Sequence, residues 1–284
     1  MIVVTGAGGQ LGRLVVRGLI DVVAPGTVVA ATRQPERLAD LAARGVEIRH
    51  ADYDEPATLA SAIAGAERLL MVSGDAVGRR AAQHKAVAEA AAAAGVGRIV
   101  YTSVLHASTS PLIVAPDHKA SEDAVRASGL PFTFLRNGWY TENYGQTVRS
   151  AAESGVIIGS AGDGRVASAA RADYAAAAVA VLTMAGEPEP VYELSGDVAW
   201  SYPELAEEVA GISGRPVAYR DVPAEEHRAA LIEAGLPEPV ADVYVSFDRD
   251  IRRGALASTS GSLRTLIGRP TTTLRDSVAA ELAS

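Results

Sequence analysis

The chain contains no cysteine, only two lysines, and few aromatic residues, 5% of 284 positions. Without cysteine there is no disulfide, no thiolate metal ligand and no cysteine nucleophile, so any redox chemistry has to come from a bound cofactor. The five histidines, His50, His84, His106, His118 and His227, are scattered and show no metal-ligand spacing. No apolar stretch approaches the ~20 residues that span a bilayer, and no basic segment or cleavage site precedes the first apolar run, so we expect a cytoplasmic protein with no membrane partner. Basic runs are missing as well. With a formal net charge of −8 and a pI near 5.2, nucleic acid is not expected as a primary partner, whereas a protein partner or a homodimer is compatible with the composition. A hydrophobic content of 48% supplies core enough for one large domain or a domain with a lobe.

The first twelve residues organise the rest. Ile2 to Val4 are apolar and β-branched, as suits a strand buried on both faces of a parallel sheet, and Gly6, Gly9 and Gly12 then follow at the spacing G-x-x-G-x-x-G. Gly6 lets the chain turn out of the strand, Gly9 keeps side chains out of the space a pyrophosphate needs, and Gly12 is expected to allow close packing of the new helix on the sheet. Phosphates would meet the free N–H groups and the positive end of that helix, which continues through Leu14, Val15, Leu19 and Ile20. Glycine triplets occur in ordinary strand-to-helix turns too; the strand before, the helix after and a second strand at 27–32 favour the dinucleotide reading.

Further along, apolar runs alternate with helical stretches. Strands are expected at Val46–His50, Arg68–Val72, Gly97–Thr102, Pro131–Arg136 and Val191–Leu194. Helices are expected at Pro35–Ala43, Val77–Ala94, Asp117–Ser128 and Tyr174–Met184, the last with Asp173 as its N-cap and Arg171 just outside it. Pro203–Ala210, Ala224–Ala234 and the stretch from Thr273 also read as helices. The glycines at 155, 159, 162 and 164 mark either a lid or a plain surface loop. The pattern predicts an α/β protein: a Rossmann-type doubly wound parallel sheet over 1–136, strands near 156–158 and 191–194 able to return to it, and a smaller C-terminal α/β lobe over most of 137–284.

On the carboxyl edge of such a sheet, strand two ends in Thr32-Arg33, where an NAD-specific protein usually carries Asp or Glu for the ribose 2′-hydroxyl. Arg33 suits a 2′-phosphate, which favours NADP(H); a solvated surface charge is the alternative. Asp52 either faces the adenine side or caps the turn before Pro56. Ser73-Gly74-Asp75 either lies against the ribose and pyrophosphate or is a simple turn. Asn137-Gly138-Trp139-Tyr140 puts an amide and two rings just beyond a strand, where open α/β sheets bind ligands, or else is a turn with two core aromatics. The Tyr-x-x-x-Lys pair of ordinary short-chain dehydrogenases is absent, because Ala81 and Ala115 stand four residues ahead of Lys85 and Lys119. If the helix at Asp117–Ser128 is matched to the usual catalytic helix through Glu122, His118 takes the place of the lysine and Val114 that of the tyrosine.

Four stretches carry a resemblance: the glycine loop, Tyr101-Thr-Ser-Val-Leu-His-Ala-Ser-Thr-Ser-Pro111, Phe134-Leu-Arg-Asn-Gly-Trp-Tyr-Thr-Glu-Asn-Tyr144 and Ser168-Ala-Ala-Arg-Ala-Asp-Tyr-Ala175. They resemble the NmrA-like group of atypical short-chain dehydrogenases/reductases, and within it the bacterial type 2 NAD(P)H:quinone oxidoreductases, with triphenylmethane-dye reductases as near cousins. The likeness extends through Gly196–Trp200 to Leu266–Leu274. It implies an NADPH-binding domain, a smaller C-terminal lobe, no flavin and a substrate cleft between the two parts. By the resemblance, Gly6, Ala7, Gly8, Gly9, Gln10 and Leu11 line the pyrophosphate, Arg33 meets the 2′-phosphate, and Ser73, Gly74 and Asp75 lie on the ribose side. Asn137, Gly138, Trp139 and Tyr140 would lie by the nicotinamide, with Asn143 and Arg171 nearby. The chain departs from the group at Gly8, where threonine is common, and at Gly74 and Asp75, where serines are.

The expected function is an NADPH-dependent reductase that passes hydride directly to a quinone or a similar planar, electron-poor small molecule. His118, Tyr140 and Asn143 are the candidate catalytic groups, His118 because a histidine titrates near neutral pH. A dye or enone reductase of the same group, and a non-catalytic NADP(H) sensor acting on a protein partner, are the competing readings.

Overall fold

The protein is described from a computed structural model covering residues 1–76 and 78–284. In chain order, β1 (Ile2–Val4) leads into α1 (Gln10–Ile20), β2 (Val28–Thr32), α2 (Ala39–Ala42), β3 (Glu47–His50), α3 (Leu59–Ile63) and β4 (Arg68–Met71). There follow α4 (Arg80–Ala93), β5 (Arg98–Val104), α5 (Ala115–Ala127), β6 (Phe132–Asn137), α6 (Gly145–Ser154), β7 (Val156–Gly159), β8 (Arg165–Val166) and α7 (Arg171–Thr183). The chain closes with β9 (Val191–Leu194), β10 (Trp200–Ser201), α8 (Tyr202–Ser213), β11 (Ala218–Asp221), α9 (Ala224–Glu233), α10 (Glu238–Arg252), α11 (Ser262–Ile267) and α12 (Leu274–Leu282).

Contacts divide the chain into two compact units. The first comprises residues 1–108, 114–137 and 171–194. Its seven strands form one parallel sheet in the order β3-β2-β1-β4-β5-β6-β9. Alternation along each strand produces two buried faces. Val3, Leu69, Met71, Ile99, Tyr101 and Phe134 join Leu59, Ile63, Val87, Ala91 and Val125 of α3, α4 and α5 in one core cluster. The alternate residues Val4, Leu70, Val100 and Leu135 are equally buried on the other side of the strands. Helices α1 and α7 pack together, closely enough that a side chain at Gly18 would meet Val179 at 3.0 Å. The sheet is thus doubly wound in the Rossmann manner, and its strand order reverses between β1 and β4, so the loops after these strands diverge at a topological switch point.

The second unit comprises residues 109–113, 138–170 and 195–284. It holds two small sheets, β11 beside β7 and β10 beside β8, with α6 and α8–α12. Two sequence expectations about returning strands part here. Val191–Leu194 does join the main sheet beside β6, whereas Val156–Gly159 pairs with Ala218–Asp221, so the strand near 156–158 is corrected to the second unit. The glycine-rich passage is a strand and a tight turn, fastened by hydrogen bonds from the Ala161 and Gly162 amides to Tyr219 and Asp221. Helix α7 contributes to the first unit although it was expected with the C-terminal lobe. It begins at Arg171, which places Arg171 inside the helix and buried Asp173 in its first turn. Pro35–Ala43 is a 3-10 turn (Pro35–Leu38) followed by a single α turn, too short for the continuous helix expected. The expected helix start at Val77 lies outside the described residues.

Candidate active site

The glycine turn explains its composition. Gly6 has φ +63°, a conformation that a side chain strains, and backbone N–H groups from Ala7 to the carbonyl of Ala31 and from Gly9 to that of Gly6 fix the loop. A Cβ on Gly12 would sit 2.4 Å from the Gly6 carbonyl oxygen and 2.9 Å from Ala7 Cα. Gly12 is therefore required by the loop's own backbone, not by packing on the sheet as the sequence suggested. Gly9 and Gln10 are exposed while Ala7 and Leu11 are buried. Among the described residues no side chain caps the start of α1, so its first amides are available to an anion. At the end of β2, Arg33 is exposed and has no ion-pair or hydrogen-bond partner among the described residues. Asp52 accepts a hydrogen bond from the Asp54 amide, which makes it a turn residue. These features suit a bound dinucleotide phosphate: a glycine turn, an uncapped helix start and an unengaged guanidinium on one sheet edge.

The loop after β4 is held from three directions. The Ser73 amide donates to Thr102 Oγ1 (2.8 Å), the Gly74 amide donates to His84 Nε2 (3.2 Å), and Arg80 Nε donates to the Gly74 carbonyl (2.7 Å). Ser73 and Gly74 are half-buried and Asp75 is exposed. Beneath them lies a buried polar cluster. His84 Nδ1 is 2.8 Å from Ser121 Oγ, whose hydroxyl donates to the Asp117 carbonyl (2.7 Å). The Tyr101 hydroxyl is 2.9 Å from His118 Nδ1. Burial, the neighbouring His118 and the charge of Arg80 push His84 down to about 3; burial and the charge of Arg80 do the same to His118. His118 is thus a neutral imidazole at physiological pH, which corrects the expectation of a group titrating near neutrality.

The consequence for stability has a definite sign. Unfolded chains bind protons on these two histidines near pH 6.5, and the folded protein does so only near 3. Their contribution is fully present above pH 6.5 and is lost as pH falls towards 3, by about 1.4 kcal/mol per pH unit for each imidazole. Urea unfolding at pH 7 and pH 5 checks this: the loss across that interval should be smaller in His118→Gln than in the wild type.

A second buried network lies at the ends of β5 and β6. Glu122, fully buried, receives Arg136 Nε and Nη2 at 2.8 and 2.7 Å and the Ser103 hydroxyl at 2.7 Å. Arg136 also donates to Glu193, which accepts the His106 amide (2.8 Å) and so secures that residue at φ +54°. Asn137, at the end of β6, is buried, and Arg171 is half-buried.

The remaining predicted residues belong to the second unit. The Ala169 amide donates to the Trp139 carbonyl and the Thr141 amide to the Ala169 carbonyl, so Gly138–Tyr140 runs beside the segment before α7. Trp139 packs edge-on against Phe247 with ring centroids 4.7 Å apart. Tyr140 is half-buried; Asn143 is exposed, in a 3-10 turn, and its amide donates to the Tyr140 carbonyl. Sequence reading missed Arg80, His84 and Tyr101. The signal was available in α4, where Arg80, Gln83 and His84 fall on the same helical stripe as buried Val87, Ala88 and Ala91.

Sheet order, glycine turn and helix terminus together define a Rossmann-type α/β protein with a dinucleotide-binding edge. Residues 1–250 match the NmrA-like family, and the chain belongs to it. It is 48% identical over 278 residues to quinone oxidoreductase 2 of Escherichia coli (strain K12), covering 98% of this chain and 97% of that protein. A crystal structure of the E. coli NADPH-dependent quinone oxidoreductase complexed with NADPH superposes with a TM-score of 0.96 at 48% identity, with full coverage of both chains. The Citrobacter sp. triphenylmethane reductase complexed with NADP(H) gives a TM-score of 0.95 at 38% identity, covering 99% of this chain and 100% of that one. Among the described residues no helix is long and apolar enough to cross a membrane.

Proposed function

We propose that the protein is an NADPH-dependent quinone reductase that works without flavin. The observation that carries this reading is the glycine turn and uncapped α1 start together with an unengaged Arg33, in a chain 48% identical to a quinone oxidoreductase over nearly its whole length. Gly6 to Leu11 would hold the pyrophosphate, Arg33 the 2′-phosphate, and Ser73, Gly74 and Asp75 the ribose side, with Asn137 and Arg171 further along the cofactor. Gly138, Trp139, Tyr140 and Asn143 are assigned to the nicotinamide and acceptor side by family resemblance alone. When bound, NADPH supplies a hydride. The protein's own contribution is orientation and a dry contact, and a quinone needs little more, since the charge left on its oxygen is delocalised and readily protonated. His118 is assigned to the acceptor side only because it stands where ordinary short-chain dehydrogenases carry their lysine, and a triphenylmethane dye is a second substrate class to assay. The test is NADPH oxidation across a panel of quinones and a triphenylmethane dye. Turnover of quinones above the uncatalysed rate is expected, and NADPH binding with no turnover on any of them would favour a sensor.

Cofactor choice gives a sharper check. An arginine on the 2′-phosphate makes charge-assisted hydrogen bonds, so NADPH should bind at least about tenfold more tightly than NADH, a difference of about 1.4 kcal/mol. Arg33→Asp should abolish or reverse that preference in calorimetry. Equal dissociation constants in the wild type would remove Arg33 from the site.

A further inference from the structure

We infer that Arg80 is a buried cation whose charge favours the pyrophosphate of a dinucleotide at the switch point between β1 and β4, and that the first unit carries this charge at a cost in stability which the dinucleotide offsets. The inference rests on the dinucleotide half of the proposed function and on no property of the acceptor.

Contacts within the first unit supply the placement. A Cβ on Gly6 would stand 3.2 Å from Val72 Cβ, so the glycine turn lies directly against the residue before Ser73. The Tyr53 hydroxyl bridges the same two loops, 2.6 Å from Thr5 Oγ1 and 2.9 Å from the Val72 carbonyl. Two residues further, the Gly74 carbonyl accepts a hydrogen bond from Arg80 Nε at 2.7 Å. Arg80 is thus fastened to the loop that abuts the glycine turn, at the point of the sheet edge where strand order reverses and open α/β folds take their ligands.

The electrostatic surroundings of Arg80 are one-sided. It is only 6% exposed, and its Nη1 has no acceptor among the described residues. No carboxylate among them lies within ion-pair distance: Asp54 receives Arg79 (3.0 Å) and Gln83 (2.8 Å), and Asp117 receives the Gly78 amide (2.9 Å). Arg80 is also the first residue of α4, which has no acidic residue in its first turn and, among the described residues, no side-chain cap, so the positive end of the helix adds to the guanidinium. The charge is felt across the cluster. After burial it is what lowers His118, and after burial and His118 it lowers His84 as well.

The same unit treats its other buried arginine in the opposite way, since Arg136 has Glu122 and Glu193 each at 2.7 Å. A buried guanidinium without a carboxylate destabilises the fold that holds it. It becomes favourable where an anion completes the set, and attraction between full charges in a low-dielectric interior acts without direct contact. The pyrophosphate is that anion, because the glycine turn beside Val72 is the phosphate loop. Arg33 and Arg80 therefore have different signatures: the 2′-phosphate belongs to NADP(H) alone, whereas NADP(H) and NAD(H) share the pyrophosphate.

The experiment compares Arg80→Met, which keeps much of the volume and removes the charge, with Arg80→Lys, which keeps the charge. Two measurements are made on the full-length protein: urea unfolding without nucleotide, and calorimetric titration with NADPH and with NADH. Arg80→Met should unfold at a midpoint no lower than the wild type and bind both cofactors on the order of tenfold more weakly, about 1.4 kcal/mol, with the preference for NADPH unchanged. Arg80→Lys should recover most of that affinity. A lower midpoint in Arg80→Met, failure to fold included, would make Arg80 a structural tie and overturn the inference. Unchanged affinity, a loss confined to NADPH, or Arg80→Lys binding no better than Arg80→Met would overturn it too. A wild type that binds neither cofactor would refute the dinucleotide reading itself, before any variant is compared.

Discussion

Gly12→Val is expected to abolish nucleotide binding and to destabilise the first unit by more than about 3 kcal/mol. The Cβ alone would lie 2.4 Å from the Gly6 carbonyl oxygen and 2.9 Å from Ala7 Cα, and both obstacles are backbone in a turn whose conformation at Gly6 is already left-handed. Neither can yield without tearing the first turn of α1 away from β1. Gly9→Val is the matched control. Its Cβ would meet only the Gly6 carbonyl, at 3.3 Å, and otherwise faces solvent, so the fold should survive while calorimetry shows NADPH affinity lost. If Gly12→Val unfolds at the wild-type midpoint, the account of this turn is wrong; if folded Gly9→Val binds NADPH normally, the phosphates lie elsewhere.

Glu122→Gln should cost about 3 kcal/mol, because it leaves the largely buried Arg136 guanidinium with reduced charge compensation. Burial alone would raise the Glu122 carboxyl, but the hydrogen bonds from Arg136 and Ser103 and the attraction of Arg136 and Arg126 outweigh it and hold it below its ordinary 4.5. The sign follows. The network's contribution is present above about pH 4.5 and is lost as pH falls through the lower folded value. Thermal unfolding at pH 7 should show a midpoint lowered by several degrees in Glu122→Gln, and the gap from the wild type should close as both are acidified. Because Arg136 also holds Glu193, and Glu193 the His106 amide, the variant should loosen the loop after β5 as well.

The legible parts of this fold were those with a period or a punctuation mark. Strands such as Arg68–Met71 and Phe132–Asn137 are short apolar runs bounded by turn residues, and the expected positions agree with them to within one or two residues. The strand at 156–159 was equally legible as a strand, but which sheet it joins depends on Ala218–Asp221, some sixty residues later, and nothing in its own residues encodes that partner. The glycine turn was legible because left-handed backbone and close approach leave glycine as the residue that fits. The role of Gly12 was misread because its obstacle is the chain six residues back. The buried polar cluster stayed hidden for a different reason. Tyr101 and His118 come from separate elements, β5 and α5, and a lone histidine in sequence carries no sign of burial or of the arginine that keeps it neutral. The polar stripe Arg80, Gln83 and His84 in an alanine-rich helix was the one local clue.

Direct hydride transfer from NADPH to a quinone on this chain alone leaves a kinetic signature. Anaerobic stopped-flow mixing of flavin-free protein and NADPH, deuterated at the transferring C4 position, with a simple quinone tests it most directly. One hydroquinone should form per NADPH consumed, the deuterium should slow single-turnover oxidation, and no one-electron quinone radical should appear at any time. A requirement for added flavin, accumulation of that radical, or oxidation no faster than in the absence of protein would contradict it.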